Sequence, residues 1–225
     1  MSRESNNPDT LFILDFLGKQ TDLKVVLDTV SKWLEGLIPG SMVTIMFFSE
    51  NEKHLNLISG GQYFTSAYRN ALTNLKIGPY VGACGAAAYY RKIVICEDIF
   101  IHPNWISYQK FLIEENISAC WSVPIISAEG TLYGTFATYY RKPKSPTDDE
   151  IKKLNHAAYL TALGIDLYYE RQHKNAMKDK YHSFFDHHPD TVYEYDLYGK
   201  ITKANIKSKK INGLELEQIV GLHYL

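Results

Sequence analysis

Residues 130–150 read GTLYGTFATYYRKPKSPTDDE, which combines the end of a predicted sheet with the start of a predicted helix. Residues 131–141 are rich in Thr, Tyr and Phe, which favour strands. A second such run occupies residues 119–127, and the turn residues 128–130 between them predict a tight hairpin. Thr147 is a natural helix N-cap, and the acidic residues after it suit the positive end of a helix dipole. The stretch therefore predicts two paired strands followed directly by a helix.

The helix that follows Thr147 is predicted to extend to about residue 186. At 1.5 Å per residue it would measure on the order of 50–60 Å, so we interpret residues 147–186 as a connector between domains. Two apolar stripes run along it, and we interpret one as packing on the sheet and the other on a second copy of the chain. The predicted interface of this parallel homodimer consists of Ile151, Leu154, Ala158, Ile165 and Tyr168.

The N-terminal residues complete the pattern of a helix-flanked antiparallel sheet. Residues 1–9 are polar and are predicted to be flexible. Apolar spacing predicts a helix over residues 22–37, and β-rich runs predict a hairpin over residues 41–59. Short helices are predicted at residues 65–75, after residue 82 and at residues 103–116, with a brief strand at residues 92–96. The predicted fold class is α+β, an antiparallel sheet flanked by helices with a long C-terminal connector helix.

Composition argues against several classes of function. The chain has 225 residues and a formal net charge of −1, so it lacks the basic field that binds nucleic acids or anionic membranes. No run of about eighteen apolar residues and no secretion-type start are present, which predicts a cytoplasmic protein without membrane contact. Three cysteines, an odd number, indicate reduced thiols. No catalytic triad, Walker loop or metal-ligand spacing is visible, so neither catalytic residues nor a metal site are predicted.

Four strings of the sequence, in this order and spacing, resemble the GAF domain of bacterial signalling proteins. They are IGPYVGACGAAAYYRK at 77–92, EDIFIHPNW at 97–105, SACWSVPI at 118–125 and the stretch at 130–150. The resemblance covers about residues 10–170, and it looks most like the subgroup upstream of cyclic di-GMP synthases and phosphodiesterases and in some sensor kinases. It implies the GAF fold and a sensory module with a small-molecule pocket.

Residues 187–225 resemble the first half of a PAS domain. The string FFDHHPDTVYEYDLYGKITKAN, followed by NGLELEQIVG, is similar to that family's opening strand pair, its Asn (Asn205) and its Gly-containing helix connection. The resemblance implies an incomplete PAS unit, with an output domain for cyclic di-GMP synthesis or hydrolysis, or a histidine kinase, beyond residue 225. It implies that ligand binding is relayed through the long helix and that this chain is not itself an enzyme.

The loop formed by Gly82, Ala83, Cys84 and Gly85 opens a helix and is the first part of the predicted ligand site. Free backbone N–H groups at a helix N-terminus suit a carboxylate, a phosphate or another small anion. The sequence departs from the family's pattern at Ala83 and Ala86, where small hydroxyl residues are usual. A tight turn that needs glycine conformations explains the loop equally well.

Two tryptophans contribute the second part of the predicted site. Trp121 shares one strand face with Val123 and Ile125, whereas Ser122 lies on the opposite face. The two tryptophans can wall an aromatic pocket together with Tyr139, Tyr108 or Tyr80, and a plain aromatic core is the alternative. The pattern leaves open which face of the sheet holds the pocket. The ligand-binding candidates are Gly82, Ala83, Cys84, Gly85, Trp105, Trp121, Ser122 and Tyr139.

Two other functions stay open at this point. GAF-fold free methionine sulfoxide reductases use a trio of cysteines, of which only Cys84 matches that pattern here, while Cys96 and Cys120 are expected in strands as buried residues. A GAF domain with a collapsed pocket that only dimerises is the second alternative. No Cys-His pair fits the bilin-attachment pattern and nothing selects a haem, so the ligand is predicted to be an unidentified small molecule.

Overall fold

The computed structural model describes residues 8–51 and 53–223. Two compact units divide the chain between Tyr168 and Tyr169. Most of the segment predicted to be flexible, residues 1–7, lies outside the described residues, whereas Pro8 and Asp9 belong to the first helix. No helix in the described ranges has the length and apolar character needed to cross a membrane.

The first unit contains a sheet of six strands and the helices around it. In chain order its elements are α1 (Pro8–Lys19), α2 (Leu23–Leu37), β1 (Met42–Ser49), β2 (His54–Gly60), α3 (Ser66–Ala71), β3 (Leu75–Lys76), α4 (Gly82–Tyr90), β4 (Val94–Cys96), a 3-10 helix (Pro103–Tyr108), α5 (Gln109–Glu115), β5 (Ala119–Ile126), β6 (Leu132–Tyr140) and the beginning of α6 (Asp148–His187). The strand order is β3-β2-β1-β6-β5-β4, and every neighbouring pair is antiparallel. The α+β prediction, with its flanking helices and long helix, is confirmed.

One face of the sheet packs against α1, α2 and α6. Trp121, Val123 and Ile125 of β5 contribute to this first core, as the alternation of the strand predicts. The helix α2 begins after Asp22, whose carboxylate accepts a hydrogen bond from the Lys24 backbone N–H at 2.8 Å. The apolar face of α2 is thereby directed onto the sheet.

The long helix α6 begins with a reciprocal cap. The Glu150 carboxylate accepts a hydrogen bond from the Thr147 backbone N–H at 2.9 Å, and Thr147 Oγ1 accepts one from the Glu150 N–H at 3.2 Å. Such a capping box satisfies two backbone donors that a helix start otherwise leaves free. Its forty residues end at His187, close to the predicted end.

Three of the five residues predicted to form a dimer interface are buried within the chain itself. Leu154, Ala158 and Ile165 are 0%, 4% and 0% exposed, because they pack into the first core of their own chain. Both predicted stripes of α6 are used in this way, since Ala157 and Leu160 lie in the same core. Ile151 and Tyr168, the other two predicted interface residues, are half-buried, and dimerisation through this helix stays a prediction.

The opposite face of the sheet is covered by short helices instead of long ones. The second core lies between this face and α3, α4, α5 and the 3-10 helix. The segment predicted as one helix over residues 103–116 is a 3-10 helix followed by α5. Cys84, Cys96 and Cys120 are all free thiols within this second core.

The second unit, residues 169–225, contains the rest of α6, a two-stranded hairpin and two short helices. Its further elements are β7 (Tyr193–Tyr195), β8 (Ile201–Ala204), α7 (Ile206–Asn212) and α8 (Leu216–Ile219). Asn205 ties the hairpin together, because its side-chain oxygen accepts from the Val192 N–H at 3.1 Å and its amide donates to the Asp190 carbonyl at 2.9 Å.

Candidate functional site

A small cavity lies in the second core, above the sheet face that α3, α4 and the 3-10 helix cover. Its volume is about 20 Å³, and a single water molecule needs about 10–15 Å³ of such space. The space as it stands therefore holds about one or two non-hydrogen atoms, and a larger ligand would have to widen it. The lining residues are Tyr68, Ala71, Leu72, Leu75, Gly82, Ala83, Cys84, Trp105, Tyr108 and Tyr139.

The close approach of Gly82 to Trp105 forms one wall of the cavity. Gly82 has φ +54°, a conformation that residues with a side chain rarely adopt, and it begins α4. A Cβ on Gly82 would lie 3.7 Å from the Trp105 ring. The neighbouring Asn104 amide donates a hydrogen bond to the Gly82 carbonyl at 3.0 Å, which holds the 3-10 helix against the start of α4.

Tyr68 is held in the opposite wall by the capping of α3. Thr65 Oγ1 accepts a hydrogen bond from the Tyr68 N–H at 3.3 Å, and the Glu115 carboxylate of α5 accepts one from the Thr65 N–H at 3.0 Å. The Phe64 ring also meets the ring of Tyr139 edge-on, with 5.2 Å between centroids. The buried carboxylate thus fixes α3 over the sheet.

Two lining side chains carry buried donors that make no hydrogen bond of ordinary geometry among the described residues, although Tyr139 lies near the first and Cys96 near the second. They are the Tyr68 hydroxyl and the Trp105 indole N–H, on side chains whose residues are 2% and 4% exposed. A buried donor left unpaired costs about 1–3 kcal/mol. Because the rest of the lining is largely apolar, both donors suit a ligand that accepts hydrogen bonds.

Cys84 is the chemically reactive group of the cavity. Its Sγ lies 3.8 Å from the Tyr139 hydroxyl. Hydrogen bonding by the Cys120 thiol, aided by Ser122 and Tyr139, outweighs the effect of burial and lowers the pKa of Cys84 to about 7. Burial raises the pKa of Cys120 well above the usual range. The two thiols therefore differ sharply in acidity although they are neighbours.

No Asp, Glu, Lys, Arg or His occurs among the described residues that line the cavity. An ionised ligand would lose its hydration there without gaining a counter-charge, which is costly in a buried site. The predicted anion site at the start of α4 is consequently not favoured by this geometry. An uncharged ligand fits the lining better.

The structure brings together five of the eight predicted site residues. Gly82, Ala83, Cys84, Trp105 and Tyr139 all line the cavity. Of the remaining three, Ser122 lies beside the Cys84 thiol and lowers its pKa. Gly85 is a close-packing position instead, because a Cβ there would lie 2.8 Å from the Lys76 carbonyl oxygen.

Trp121, the third of these residues, is placed on the other face of the sheet. Its indole N–H donates to the Lys144 carbonyl at 3.0 Å, and its ring lies 4.4 Å from that of Tyr140 in the first core. The expectation that Trp105 and Trp121 wall one pocket is therefore replaced by a pocket with Trp105 alone. Alternation along β5 had separated Trp121 from Cys120, but it did not indicate which face carries the cavity.

Sequence reasoning missed Tyr68 and its neighbours on α3. Tyr68 and Leu72 are four positions apart, a spacing that places both on one face of a helix. That signal was present in the sequence, but a six-residue helix offers too few positions to reveal an apolar stripe.

Comparison with known proteins identifies the family of the first unit. The family model for the GAF domain matches residues 20–166. The methyl sulfide methyltransferase-associated sensor of Methanosarcina acetivorans is 23% identical over 221 residues, which are 94% of this chain. The chain spans only 22% of the length of that relative.

Solved structures show the same fold at low sequence identity. The GAF domain of an Acinetobacter phosphoenolpyruvate-protein phosphotransferase is similar with a TM-score of 0.55 and 14% identity, over 74% of this chain and 95% of that one. The free methionine-R-sulfoxide reductase of Neisseria meningitidis, solved with its substrate, is similar with a TM-score of 0.59 and 15% identity. That match covers 76% of this chain and 98% of the reductase.

Proposed function

Because the chain belongs to the GAF domain family, we propose that it is the sensory part of a signalling protein and binds a small uncharged ligand in the cavity beside Trp105. The observation that carries this proposal is the pair of unpartnered donors, Tyr68 Oη and Trp105 Nε1, on the cavity lining. The ligand would accept hydrogen bonds from both. The similarity to a sensor of Methanosarcina acetivorans supports a signalling role.

The relay of ligand binding is proposed to cross the sheet through adjacent residues. Tyr139 lines the cavity, and its neighbour Tyr140 lies in the first core beside Trp121. Lys144 Nζ lies 4.4 Å above the Tyr140 ring and forms an ion pair of 2.6 Å with Glu150 in the first turn of α6. A shift of Tyr139 would thereby bias the start of the helix, provided that the ligand binds two arrangements unequally.

The finer parts of the signalling role also belong to this proposal. Residues 187–225 would form the first half of a PAS unit that receives the signal through α6, and the output would be cyclic di-GMP synthesis or hydrolysis, or a histidine kinase. The sequence similarity to the sensor relative extends over 94% of the chain, which supports the presence of counterparts of both units in that protein. The reading frame of the full-length gene tests the output directly.

Dimerisation stays a prediction, and we propose that other, exposed residues of α6 contribute to its interface. Tyr159 and Met177 are the kind of exposed apolar residue on α6 that a second copy would cover, being 64% and 55% exposed. Sedimentation of the chain with either residue replaced by Glu tests this. A monomer in the wild type would contradict the prediction.

Ligand binding is tested by a titration series with matched variants. A panel of small neutral hydrogen-bond acceptors (amides, ketones, sulfoxides) would be titrated by calorimetry alongside phosphate and acetate. We expect a neutral compound to bind, and Tyr68→Phe to weaken its binding about 2- to 12-fold, the value of one hydrogen bond. Binding only of the anions, or equal binding by Tyr68→Phe, would contradict the proposal.

Tyr140→Phe provides the control for this series. The Tyr140 hydroxyl is also buried and unpartnered within the described chain, but it lies in the first core on the other face of the sheet. The substitution is chemically identical and should leave the affinity unchanged. Equal weakening by both variants would indicate a general effect on the fold.

A reductase is the second candidate function, because Cys84 lies in the cavity with a lowered pKa. The geometry favours it less. Free methionine sulfoxide carries an ammonium and a carboxylate, and the described lining contains no Asp or Glu to pair with the first and no Lys, Arg or His to pair with the second. An assay with free methionine sulfoxide and a thiol reductant tests it. Turnover that Cys84→Ser abolishes would establish the reductase in place of the sensor.

A further inference from the structure

Cys84 of α4 lines the cavity, and its thiol lies beside that of Cys120 in the sheet. Two neighbouring thiols can react with each other. We propose that Cys84 and Cys120 form a reactive thiol pair that is oxidised by small uncharged hydroperoxides, hydrogen peroxide among them, and closes to a disulfide. The site would then respond to an oxidant. This chemistry is independent of the proposed non-covalent ligand and can be tested without it.

The register of the sheet brings the thiols together. Cys96, Cys120, Tyr139 and Met42 stand opposite one another in turn on β4, β5, β6 and β1. Directly opposite residues of antiparallel strands have Cα atoms about 4.5–5.5 Å apart, and all four residues of this row belong to the second core. Cys84 belongs to α4, which covers this face of the sheet, and its Sγ lies 3.8 Å from the hydroxyl of Tyr139, the cross-strand neighbour of Cys120.

The two partners have different roles because their acidities differ. The thiolate is the nucleophilic form of cysteine, and hydrogen bonding by Cys120 lowers the pKa of Cys84 to about 7. Burial raises the pKa of Cys96 to about 11 and that of Cys120 further above its usual range. Cys84 is therefore the attacking residue, and Cys120 is the resolving thiol.

The size and lining of the cavity select the oxidant. Hydrogen peroxide is uncharged and close to water in size, so it fits a space of about 20 Å³. Ala71, Leu75 and Tyr108 of the lining are only partly buried, which gives a small molecule a path from solvent. The unpartnered donors of Tyr68 and Trp105 can hydrogen-bond the peroxide oxygens. A peptide disulfide or another bulky oxidant does not fit.

The proposed reaction proceeds in two balanced steps. The Cys84 sulfur attacks one peroxide oxygen, the O–O bond breaks, and the leaving hydroxide combines with the proton of the Cys84 thiol to give water and a sulfenic acid. The Cys120 sulfur then attacks the sulfenic sulfur, the S–O bond breaks, and the hydroxide leaves with the Cys120 proton as a second water. Two thiols lose two electrons, and one peroxide becomes two waters.

The experiment maps thiols in the reduced 225-residue chain after one equivalent of hydrogen peroxide. The reaction is stopped by alkylation in denaturant, and the digested peptides are identified by mass spectrometry. We expect a Cys84–Cys120 linked peptide and a free Cys96, with Cys84 consumed at least about ten times faster than Cys96. In Cys120→Ser, Cys84 should stop at a sulfenic acid that dimedone traps.

Cys96→Ser is the matched control, because it removes a third buried cysteine of the same row. This variant should still form the Cys84–Cys120 disulfide at the wild-type rate. Three unreacted thiols in the wild type, a disulfide that contains Cys96, or no dimedone adduct on Cys84 in Cys120→Ser would overturn the proposal. Circular dichroism establishes whether each variant is folded. If a variant is unfolded, the disulfide map of the wild-type chain still tests the proposal.

Discussion

At the scale of single residues, the cavity contains polar atoms whose burial is unfavourable for folding. The Tyr68 hydroxyl and the Trp105 indole N–H are buried without partners within the described ranges, at a cost of about 1–3 kcal/mol each. A plain aromatic core would be more stable with phenylalanine at position 68. The cost is explained if a ligand supplies the missing acceptor.

Stability measurements on Tyr68→Phe test this explanation. Because the hydroxyl has no partner among the described residues, its removal should raise the free energy of unfolding by about 1–3 kcal/mol in the absence of ligand. Tyr133→Phe is the contrasting variant, since the Tyr133 hydroxyl donates to the Asp166 carboxylate and its loss should be destabilising. Urea unfolding measures both. A clear loss of stability in Tyr68→Phe would contradict the expectation.

Two helical glycines should respond in opposite ways to substitution by alanine. At Gly85 a Cβ would lie 2.8 Å from the Lys76 carbonyl oxygen, so Gly85→Ala should destabilise the chain by about 1–3 kcal/mol. At Gly36 of α2 a Cβ would meet nothing within 4 Å, so Gly36→Ala should stabilise it by about 0.5–1 kcal/mol. Thermal unfolding of both variants checks the signs, and a stable Gly85→Ala would show that α4 can move away from β3.

At the scale of elements, the start of α6 is tied to the first core through the loop that precedes it. Lys144 lies over the rings of Trp121 and Tyr140 and pairs with Glu150, which in turn caps the helix with Thr147. Each of these groups contacts the next, so the loop and the first turn form one continuous network. The network is the structural reason to expect that the helix responds to the sheet.

The Glu150 carboxylate gives this network a pH dependence. Burial raises its pKa, but hydrogen bonds from Lys144 and Thr147 prevail and lower the pKa below the usual 4.5. A lowered pKa stabilises the fold above the unfolded value, and this contribution is lost as the pH falls through the folded value. Glu150→Gln should therefore be less stable than the wild type at pH 7, and the difference should shrink as the pH falls below 4.5 and through the lowered pKa of Glu150. Urea unfolding across this range measures the difference, and parallel curves would contradict it.

The sequence predicted the length and the cap of α6 but not its packing. Thr147 and the acidic first turn carry local chemistry that a sequence displays directly. A stripe such as Leu154, Ala158 and Ile165 indicates only that a face is buried, because an apolar pattern is the same for a partner helix and for the sheet of the same chain. Three of the five predicted dimer residues are for that reason buried in their own chain, and the dimer itself stays a prediction.

At the scale of the whole first unit, the sheet separates the first core from the second core, which contains the small cavity. Residues that adjoin along a strand, such as Tyr139 and Tyr140 or Cys120 and Trp121, belong to opposite cores. The sequence predicted this alternation but not the side of the cavity, because both faces of β5 and β6 are almost wholly buried. Only the packing of α3 and α4 over one face decides it.

The three indole N–H signals in a ¹⁵N NMR spectrum test the central claim most directly, because the chain contains three tryptophans in different surroundings. Trp105 lines the cavity, and Trp121 donates to the Lys144 carbonyl. Trp33 is half-buried against the first core, and its buried indole N–H has no hydrogen-bond partner in the part of the chain that the structure describes. On titration with the panel of neutral acceptors, we predict that the Trp105 signal shifts saturably and that the Trp33 signal does not. A Trp105 signal that responds to none of them, or only to phosphate or acetate, would contradict the account.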